Sequence, residues 1–325
     1  MNKPILYMLV GLPASGKSTW AERMVYDNRR WFSSDEIRKE LDTKDNNKVF
    51  NTLHIRLFKE LSIGHDVIYD ATNVSRKYRI AFLKELEQKK IDCEKICILF
   101  LTPVYLCRKR NALRKGIVRV PDYVYDRMLR NFQLPMKEEG WDEVRIETIQ
   151  SDMPYDTAAW IKEFGYSKDD IFIDKKWDMD QENEHHTLSL RKHQDKTFSY
   201  LFNEYNYMAT NKDTFLSLLT AASYHDIGKF WTKVKKEGDH NAHYYGHENW
   251  GAYEFLVLIY MIRTGDGVGA KIANDEYISA LLINWHMRPY QWDKNPPLEE
   301  KESQWLPPAF YLSLKLLHEA DKEAH

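Results

Sequence analysis

The sequence predicts two domains of different class, an α/β domain with a parallel sheet followed by an all-α domain. In the first half, short and continuously apolar runs alternate with stretches of helical periodicity, a pattern typical of βαβ units whose strands are buried on both faces. In the second half the strand-like runs stop and helical periodicity continues alone. A chain of 325 residues is long enough for both, and we expect the domains at residues 1–175 and 185–325.

The individual elements are predicted from their own patterns. Apolar runs predict buried strands at residues 5–10, 31–32, 67–70 and 96–101. Helical spacing in the first domain predicts helices at residues 17–26, 48–61, 76–89 and 103–114, the last one capped by Thr102. In the second domain it predicts helices at residues 188–205, 214–224, 250–263, 275–285 and 308–321. The acidic stretch at residues 178–184 predicts a linker or a domain edge.

Composition restricts the setting and the partners. The formal net charge of -2 gives no global basic field, so a nucleic-acid contact would need a local patch. The cysteines, Cys93, Cys97 and Cys107, are odd in number and closely spaced, which argues against a disulfide framework and favours a reducing cytosol. No apolar stretch reaches the length that spans a membrane. We therefore expect a cytoplasmic protein with no membrane partner.

A glycine-rich loop follows the first predicted strand and opens the first predicted helix, which is the context that a phosphate-binding loop requires. Its backbone amides would surround the phosphates of ATP, and the helix N-terminus would add partial positive charge. Lys17 would reach the β and γ phosphates, and the Ser18 hydroxyl would ligate Mg²⁺. The residues predicted to bind ATP are Gly11, Pro13, Ala14, Ser15, Gly16, Lys17, Ser18 and Thr19.

Polar side chains near the ends of later strands are candidates for chemistry at the phosphate acceptor. Asp35 follows the second strand on the side where ligands bind in open α/β sheets, and its carboxylate could accept a proton from an attacking hydroxyl. Arg38, one turn on, could hold a substrate phosphate. Asp70 ends the next strand and could orient Mg²⁺ or the other two side chains. The alternative is that Ser34 or Asp35 only caps the following helix.

Two groups of basic residues follow: Arg76, Lys77 and Arg79, and then Arg108, Arg110, Arg114 and Arg119. The first group could contact an anionic substrate. In the second group, Arg110 and Arg114 stand four apart on one predicted helix face, where they could form a lid that stabilises charge on the transferring phosphoryl group. In both cases the alternative is a solvated helix face.

Taken together, these residues resemble the 5′-hydroxyl polynucleotide kinase family of phage and bacterial RNA and DNA repair, over about residues 5–150. The shared pieces are Gly11 to Thr19, Ser34 to Arg38, Asp70 to Asn73, and Arg110, Asn111, Arg114, Val120 and Pro121. The resemblance implies a P-loop kinase fold, with Asp35 as general base and Arg38 on the phosphate next to the 5′-hydroxyl. It also implies that Arg110 or Arg114 contacts the donor phosphates. Related small-molecule kinases carry the same motif set.

Histidine is concentrated in the second half, because only His54 and His65 of the 12 histidines precede residue 185. Imidazole is a common ligand of transition metals, so this asymmetry indicates a second chemistry. His225 and Asp226 are adjacent at the end of an apolar helical run, where both side chains can ligate one metal. Their alternative role is that of satisfied core residues.

With His193, His247, His286 and Asp321 in this order, the second half resembles the HD phosphohydrolase superfamily over about residues 185–325. The resemblance implies an HD domain that holds one divalent ion through His193, His225, Asp226 and Asp321. His247 and His286 would supply a second ion or, in a one-metal enzyme, contact the substrate. Lys229 is expected to contact phosphate, and His186 could also point into the pocket. Mixed imidazole and carboxylate ligands suit Mn, Fe, Co, Ni or Zn.

A kinase fused to a metal phosphohydrolase suggests complementary work on the two ends of one strand break. Many ribonucleases leave a 2′,3′-cyclic phosphate and a 5′-hydroxyl, whereas ligases need a 5′-phosphate and usually a free 3′-hydroxyl. The leading hypothesis is an enzyme that heals nucleic-acid ends, RNA in particular, with an RNA or DNA ligase as functional partner. The alternatives are a small-molecule or nucleoside kinase fused to a nucleotide phosphohydrolase, and a regulatory ATPase with a degenerate, ligand-sensing HD domain.

Overall fold

A computed structural model of the chain describes residues 3–148, 178–183, 187–205, 212–265 and 271–324. The chain divides into two compact units: the first contains Met1–Met128 and Pro135–Gln150, and the second contains Leu129–Leu134 and Ser151–His325. The short segment Leu129–Leu134 therefore belongs to the second unit although the residues on both sides of it belong to the first. Residues 175 and 185, the predicted domain limits, and His186 lie outside the described residues.

Within the described residues, the first unit contains a five-stranded parallel sheet with the strand order β2-β3-β1-β4-β5. The strands are β1 (Ile5–Val10), β2 (Arg29–Ser33), β3 (Asp66–Asp70), β4 (Glu94–Leu101) and β5 (Glu143–Thr148). The predicted apolar runs lie in the first four strands. The edge strand β5 was not predicted, because it alternates charged and apolar residues and is mostly half-buried.

Helices flank this sheet. They are α1 (Lys17–Met24), α2 (Ser34–Glu40), α3 (Asn46–Ser62), α4 (Arg76–Gln88), α5 (Val104–Ala112) and α6 (Asp122–Arg130). The predicted cap at Thr102 is wrong, since its hydroxyl donates to the carbonyl oxygen of Ser15 at 2.8 Å and Pro103 occupies the cap position. Helix α5 also ends at Ala112, so Arg114 lies beyond it and does not share a helix face with Arg110.

The described part of the second unit is helical, as predicted. Its helices are α7 (Leu190–Tyr205), α8 (Lys212–Tyr224), α9 (Lys229–Thr232), α10 (His247–Gly265), α11 (Asn274–Trp285), α12 (Arg288–Lys294), α13 (Pro296–Ser303) and α14 (Pro308–Glu323). The acidic stretch contributes to this unit, because Gln181 is fully buried there. None of the helices in the described part of the chain combines the length and the apolar character that crossing a bilayer requires.

Two asparagines hold the segment Leu129–Leu134 within the second unit. Asn284 donates from Nδ2 to the carbonyl oxygen of Phe132 and accepts from the backbone N–H of Leu134, both at 3.0 Å. Its Nδ2 also donates to Oδ1 of Asn249 at 3.0 Å. Phe132, Leu134 and Asn284 are buried, so these bonds replace hydration that the groups lose on folding.

We expect Asn284→Ala to lower the free energy of unfolding of the second unit by about 1–3 kcal/mol, because buried backbone groups lose a hydrogen-bond partner. Urea unfolding followed by tryptophan fluorescence measures the change. Asn274→Ala is the matched control, since Asn274 is exposed at the start of the same helix. Equal midpoints for the two variants would contradict the role of Asn284.

Candidate functional site

The loop between β1 and α1 has the backbone geometry of a phosphate cradle. Gly16 caps α1 with φ at 101°, a left-handed conformation that glycine adopts without strain. Ala14 also has a positive φ, 59°. A Cβ at Gly11 would lie 2.8 Å from Oγ of Ser15 and 3.0 Å from Cβ of Phe100, so a larger residue would require these neighbours to shift. The loop therefore curls tightly at the N-terminus of a helix, where backbone amides attract anions.

Lys17 is buried in this loop, and its ammonium group points back across it. Nζ donates to the carbonyl oxygens of Gly11 at 3.0 Å and Leu12 at 2.6 Å. Burial lowers the pKa of Lys17, while the nearby carboxylates of Asp70 and Asp35 act in the opposite direction. The ammonium is thus held inside the loop, close to two carboxylates from the neighbouring strand ends.

Asp70 connects the loop to the strand ends beside it. Its Oδ2 accepts from the Ser18 hydroxyl at 2.7 Å and from Nε1 of Trp31 at 3.2 Å. Burial raises the pKa of Asp70, and the charge of Lys17 opposes that rise. Ser18 and Asp70 are oxygen donors of the kind that Mg²⁺ prefers, so they could hold that ion together. Trp31 is a contact that the sequence reasoning missed.

Asp35 and Arg38 lie in α2, directly after β2. The hydroxyl of Ser33 accepts from the backbone N–H of Asp35, so Ser33 is the cap and the carboxylate of Asp35 is not used for capping. Arg38 donates from Nη2 to Oδ1 of Asn46 at 2.7 Å. Its Nη1 is buried and has no hydrogen-bond partner among the described residues. Arg38 therefore retains an unused donor.

The predicted lid arginines differ in their surroundings. Arg108 pairs with Asp126 at 2.5 Å, and together with Arg119 it lines a cavity of about 450 Å³. The side chain of Asn111 braces that cavity by bonding to both the N–H and the carbonyl of Val120, at 3.0 and 2.6 Å. Arg114 lies beyond α5, and its Nη1 approaches the carbonyl oxygen of Val118 at 3.5 Å.

Arg79 has a structural role, and its predicted contact with a substrate is wrong. Its guanidinium forms a fully buried ion pair with Glu139 at 2.6 Å and also donates to the carbonyl oxygen of Asn73 at 3.0 Å. Asn73 in turn donates to the carbonyl oxygen of Leu9, so Arg79 braces the end of β1. A cation that is fully enclosed by this pair cannot reach a ligand.

The second unit brings all six predicted metal ligands together. These residues are buried, and several of them stand at helix ends: His193, His225, Asp226, His247, His286 and Asp321. His225 and Asp226 follow the end of α8, His247 begins α10, and His286 ends α11. Residues at helix ends can point along the axis, so separate helices converge on one buried space.

The ligand atoms form two groups. In the first, Nε2 of His193 lies 3.2 Å from Nε2 of His225 and 2.9 Å from Oδ1 of Asp321. In the second, Nε2 of His247 lies 3.1 Å from Nε2 of His286 and from Oδ1 of Asp226.

Asp226 faces both groups. Its Oδ2 is 3.5 Å from Nε2 of both His193 and His225, while its Oδ1 faces the second group. The resemblance implied that Asp226 is a ligand of the first ion together with His193, His225 and Asp321. In the structure its carboxylate lies between the two ligand groups.

Hydrogen bonds at the outer ring nitrogens fix the tautomers of three histidines. Nδ1 of His225, His247 and His286 lies 2.8–2.9 Å from a backbone carbonyl oxygen three residues earlier. A carbonyl only accepts, so each Nδ1 carries the proton and Nε2 of the neutral ring presents a lone pair. In the second group two such lone pairs and a carboxylate oxygen face one another. A cation placed between them would satisfy all three acceptors.

A divalent ion fits both groups. Metal–nitrogen distances of about 2.0–2.1 Å place neighbouring ligand atoms about 2.9–3.4 Å apart in tetrahedral or octahedral geometry. The three separations within each group span 2.9–3.6 Å, so four of the six lie in that range and two lie just above it. Imidazole with a protonated and bonded outer nitrogen is also the usual form of a metal-ligating histidine. Imidazole and carboxylate together suit a transition metal.

Charged and polar neighbours complete this site. Nζ of Lys229 is 2.6 Å from Oδ2 of Asp226 and donates to Oε1 of Gln181 at 2.7 Å. Burial alone would raise the pKa of Asp226, but the charge of Lys229 acts against burial and that pKa lies well below its ordinary value. The Tyr290 hydroxyl donates to Asp321 at 2.9 Å. Gln181 and Tyr290 had no recognisable signal in the sequence.

Comparisons with known proteins bear on the first unit. Residues 6–135 match the profile of a family described as an AAA domain. The first unit is thus a P-loop nucleotide-binding domain with a kinase-like fold. No curated protein matches the chain significantly.

A chain in a solved structure of a Pnkp1/Rnl/Hen1 complex is 23% identical, with a TM-score of 0.30. The match covers 38% of the present chain and 42% of that one. At this level the likeness carries no argument about activity or partners.

We expect Asp226→Ala to remove bound metal from both groups, because the two carboxylate oxygens face different groups. His247→Ala should remove about one equivalent and leave the other. Elemental analysis of chain purified with added Mn²⁺ or Co²⁺ measures both effects. Full metal content in Asp226→Ala would contradict the assignment of the ligands.

Proposed function

We propose that this chain heals nucleic-acid ends, by phosphorylating 5′-hydroxyl termini with ATP and by removing 2′,3′-cyclic or 3′ phosphate in a metal-dependent step. The observation that carries the proposal is the presence of two separate candidate sites in one chain. One is a phosphate loop with acidic and basic side chains near it, and the other is a buried six-ligand cluster.

In the kinase step, the loop amides and Lys17 bind the β and γ phosphates, while Ser18 and Asp70 would hold Mg²⁺. Mg²⁺ at that place would neutralise charge on the phosphates. The carboxylate of Asp35 accepts the proton of the acceptor hydroxyl as the hydroxyl oxygen attacks the γ phosphorus, and the bond from that phosphorus to the β–γ bridging oxygen breaks to release ADP. Two observations support this role. Asp35 is half-buried, and its carboxylate does not cap α2. Its negative charge also acts to raise the pKa of Lys17 and of Asp70.

Arg38 binds the acceptor strand. Its buried Nη1 has an unused donor, and burial of an unsatisfied donor is unfavourable unless a ligand completes it. A phosphodiester oxygen next to the 5′-hydroxyl would accept from this group, with the bond to Asn46 fixing the guanidinium. For the donor phosphates, Arg110 or Arg114 would be the contact.

In the hydrolytic step, two metal ions bound by the cluster would polarise the phosphate and activate water. Side chains of the protein would position the substrate and balance its negative charge. Lys229, which donates to Gln181, is close enough to the cluster to bind a phosphate oxygen. Asp226 links the two ligand groups, because one of its oxygens faces each group. Cyclic 2′,3′ phosphate requires a 2′-hydroxyl, so RNA is the proposed substrate. One water would open the cyclic phosphate to a monoester, and a second would release inorganic phosphate and leave free 2′- and 3′-hydroxyls. These ends and the 5′-phosphate are what a ligase joins, which makes a ligase the proposed partner.

One experiment with crossed variants tests both activities. An RNA with a 5′-hydroxyl and a 2′,3′-cyclic phosphate is incubated with labelled ATP and Mn²⁺ or Co²⁺. We expect Lys17→Ala to abolish label transfer, and Asp35→Ala to reduce it by about 10²–10⁴-fold while ATP binding persists, because Asp35 acts on the acceptor.

Both kinase variants should still open the cyclic phosphate, whereas Asp226→Ala should lose that reaction alone. Near-normal label transfer by Asp35→Ala would refute the base assignment. Intact opening of the cyclic phosphate by Asp226→Ala would refute the hydrolytic role of the cluster.

The variant Arg38→Ala tests whether the phosphate acceptor is a polynucleotide or a small molecule. We expect a loss of about tenfold or more in kcat/KM on a 5′-hydroxyl oligonucleotide, from the loss of a charged hydrogen bond of about 1.5–3 kcal/mol. A bare nucleoside, which lacks the neighbouring phosphate, should be affected little. Equal losses on the two acceptors would instead favour the small-molecule kinase.

A further inference from the structure

The two oxygens of Asp321 have different partners. Oδ1 lies 2.9 Å from Nε2 of His193 and 3.5 Å from Nε2 of His225, so it belongs to the first ligand group. Oδ2 accepts a hydrogen bond from the Tyr290 hydroxyl at 2.9 Å. One carboxylate therefore divides its two oxygens between an ion site and a tyrosine.

The position of the Tyr290 ring is fixed by a contact with the ring of His318. It stacks edge-on against His318, with ring centroids 4.3 Å apart and an angle of 86° between the planes. Nε2 of His318 is 2.8 Å from Oδ2 of Asp293, which anchors the imidazole. His318 precedes Asp321 by three residues on α14, so the tyrosine approaches the same face of that helix as the ligand.

We propose that Tyr290 is a positioning residue that keeps Asp321 a one-oxygen ligand of the first ion. This inference rests on the metal centre of the proposed function. A carboxylate can bind a metal through one oxygen or chelate it through both, and a chelating Asp321 would occupy one more coordination position. With Oδ2 bonded to Tyr290, that position stays open for an oxygen of the phosphate substrate or for water.

The test is titration of the metal-free full-length chain with Co²⁺, followed by its visible absorption spectrum. Tyr290→Phe retains the ring and its contact with His318 but removes the hydroxyl. We expect Co²⁺ affinity at the first site to fall by about 10–100-fold, as is usual when a partner behind a ligand is lost. We also expect the visible band to weaken, because a second carboxylate oxygen raises the coordination number.

Tyr311→Phe is the matched control. Tyr311 also donates to a carboxylate, Oε1 of Glu299 at 2.6 Å, and it lies on the same helix as Asp321. Ten residues of helix separate it from Asp321 by about 15 Å, so this variant should keep the Co²⁺ spectrum and affinity of the unaltered chain. Retained kinase activity and an unchanged melting temperature show that each variant is folded.

Unaltered affinity and an unaltered spectrum in Tyr290→Phe would overturn the inference while leaving the metal centre in place. An equal change in Tyr311→Phe would also overturn it, since the effect would then be structural. If the unaltered chain binds no Co²⁺, the proposed metal centre fails and the role of Tyr290 fails with it.

Discussion

Two carboxylates and four imidazoles share one buried space in the second unit, and the resulting crowding of lone pairs and negative charge constrains everything around it. Three of the imidazoles direct their protons outward to backbone carbonyls, which leaves the inner nitrogens as acceptors. Such a cluster is unfavourable in a dry interior unless positive charge enters it. Lys229 supplies one charge at its rim, and the spacing of the ligands fits metal ions as the remainder. The helix ends that carry several of these ligands converge on this buried space.

In the proposed function the first unit meets the same problem, the negative charge of a phosphate, by different means. A parallel sheet brings the carboxyl ends of its strands to one edge, so the phosphate loop after β1, Asp35 after β2 and Asp70 at the end of β3 become neighbours. Backbone amides and a buried lysine would then take the place that the proposed imidazole-bound metal has in the other unit. Each solution needs rigid surroundings, and the buried pair between Arg79 and Glu139 supplies part of that rigidity next to β1.

The sequence was most informative where a local pattern determines structure. Strands buried on both faces are continuously apolar, so four of the five described strands could be predicted, whereas the alternating edge strand could not. The phosphate loop is contiguous, and the order of histidines and aspartates indicated the ligand cluster. Contacts between distant residues were not predictable: Tyr290 with Asp321, Trp31 with Asp70, and Gln181 with Lys229 leave no periodicity or spacing to detect. The end of α5 before Arg114 was missed for a similar reason, because helical spacing does not mark where a helix stops.

The discontinuity of the second unit bears on how the chain is made. A ribosome releases the segment Leu129–Leu134 well before Asn284 is synthesised, and at about 5–20 residues per second the delay between them lasts many seconds. During that interval the carbonyl oxygen of Phe132 and the N–H of Leu134, both buried in the folded chain, cannot yet bond to Asn284. The nascent first unit therefore carries an exposed apolar segment, to which a chaperone could bind. Genetic dissection meets the same obstacle, because no single cut in the gene separates the two units cleanly.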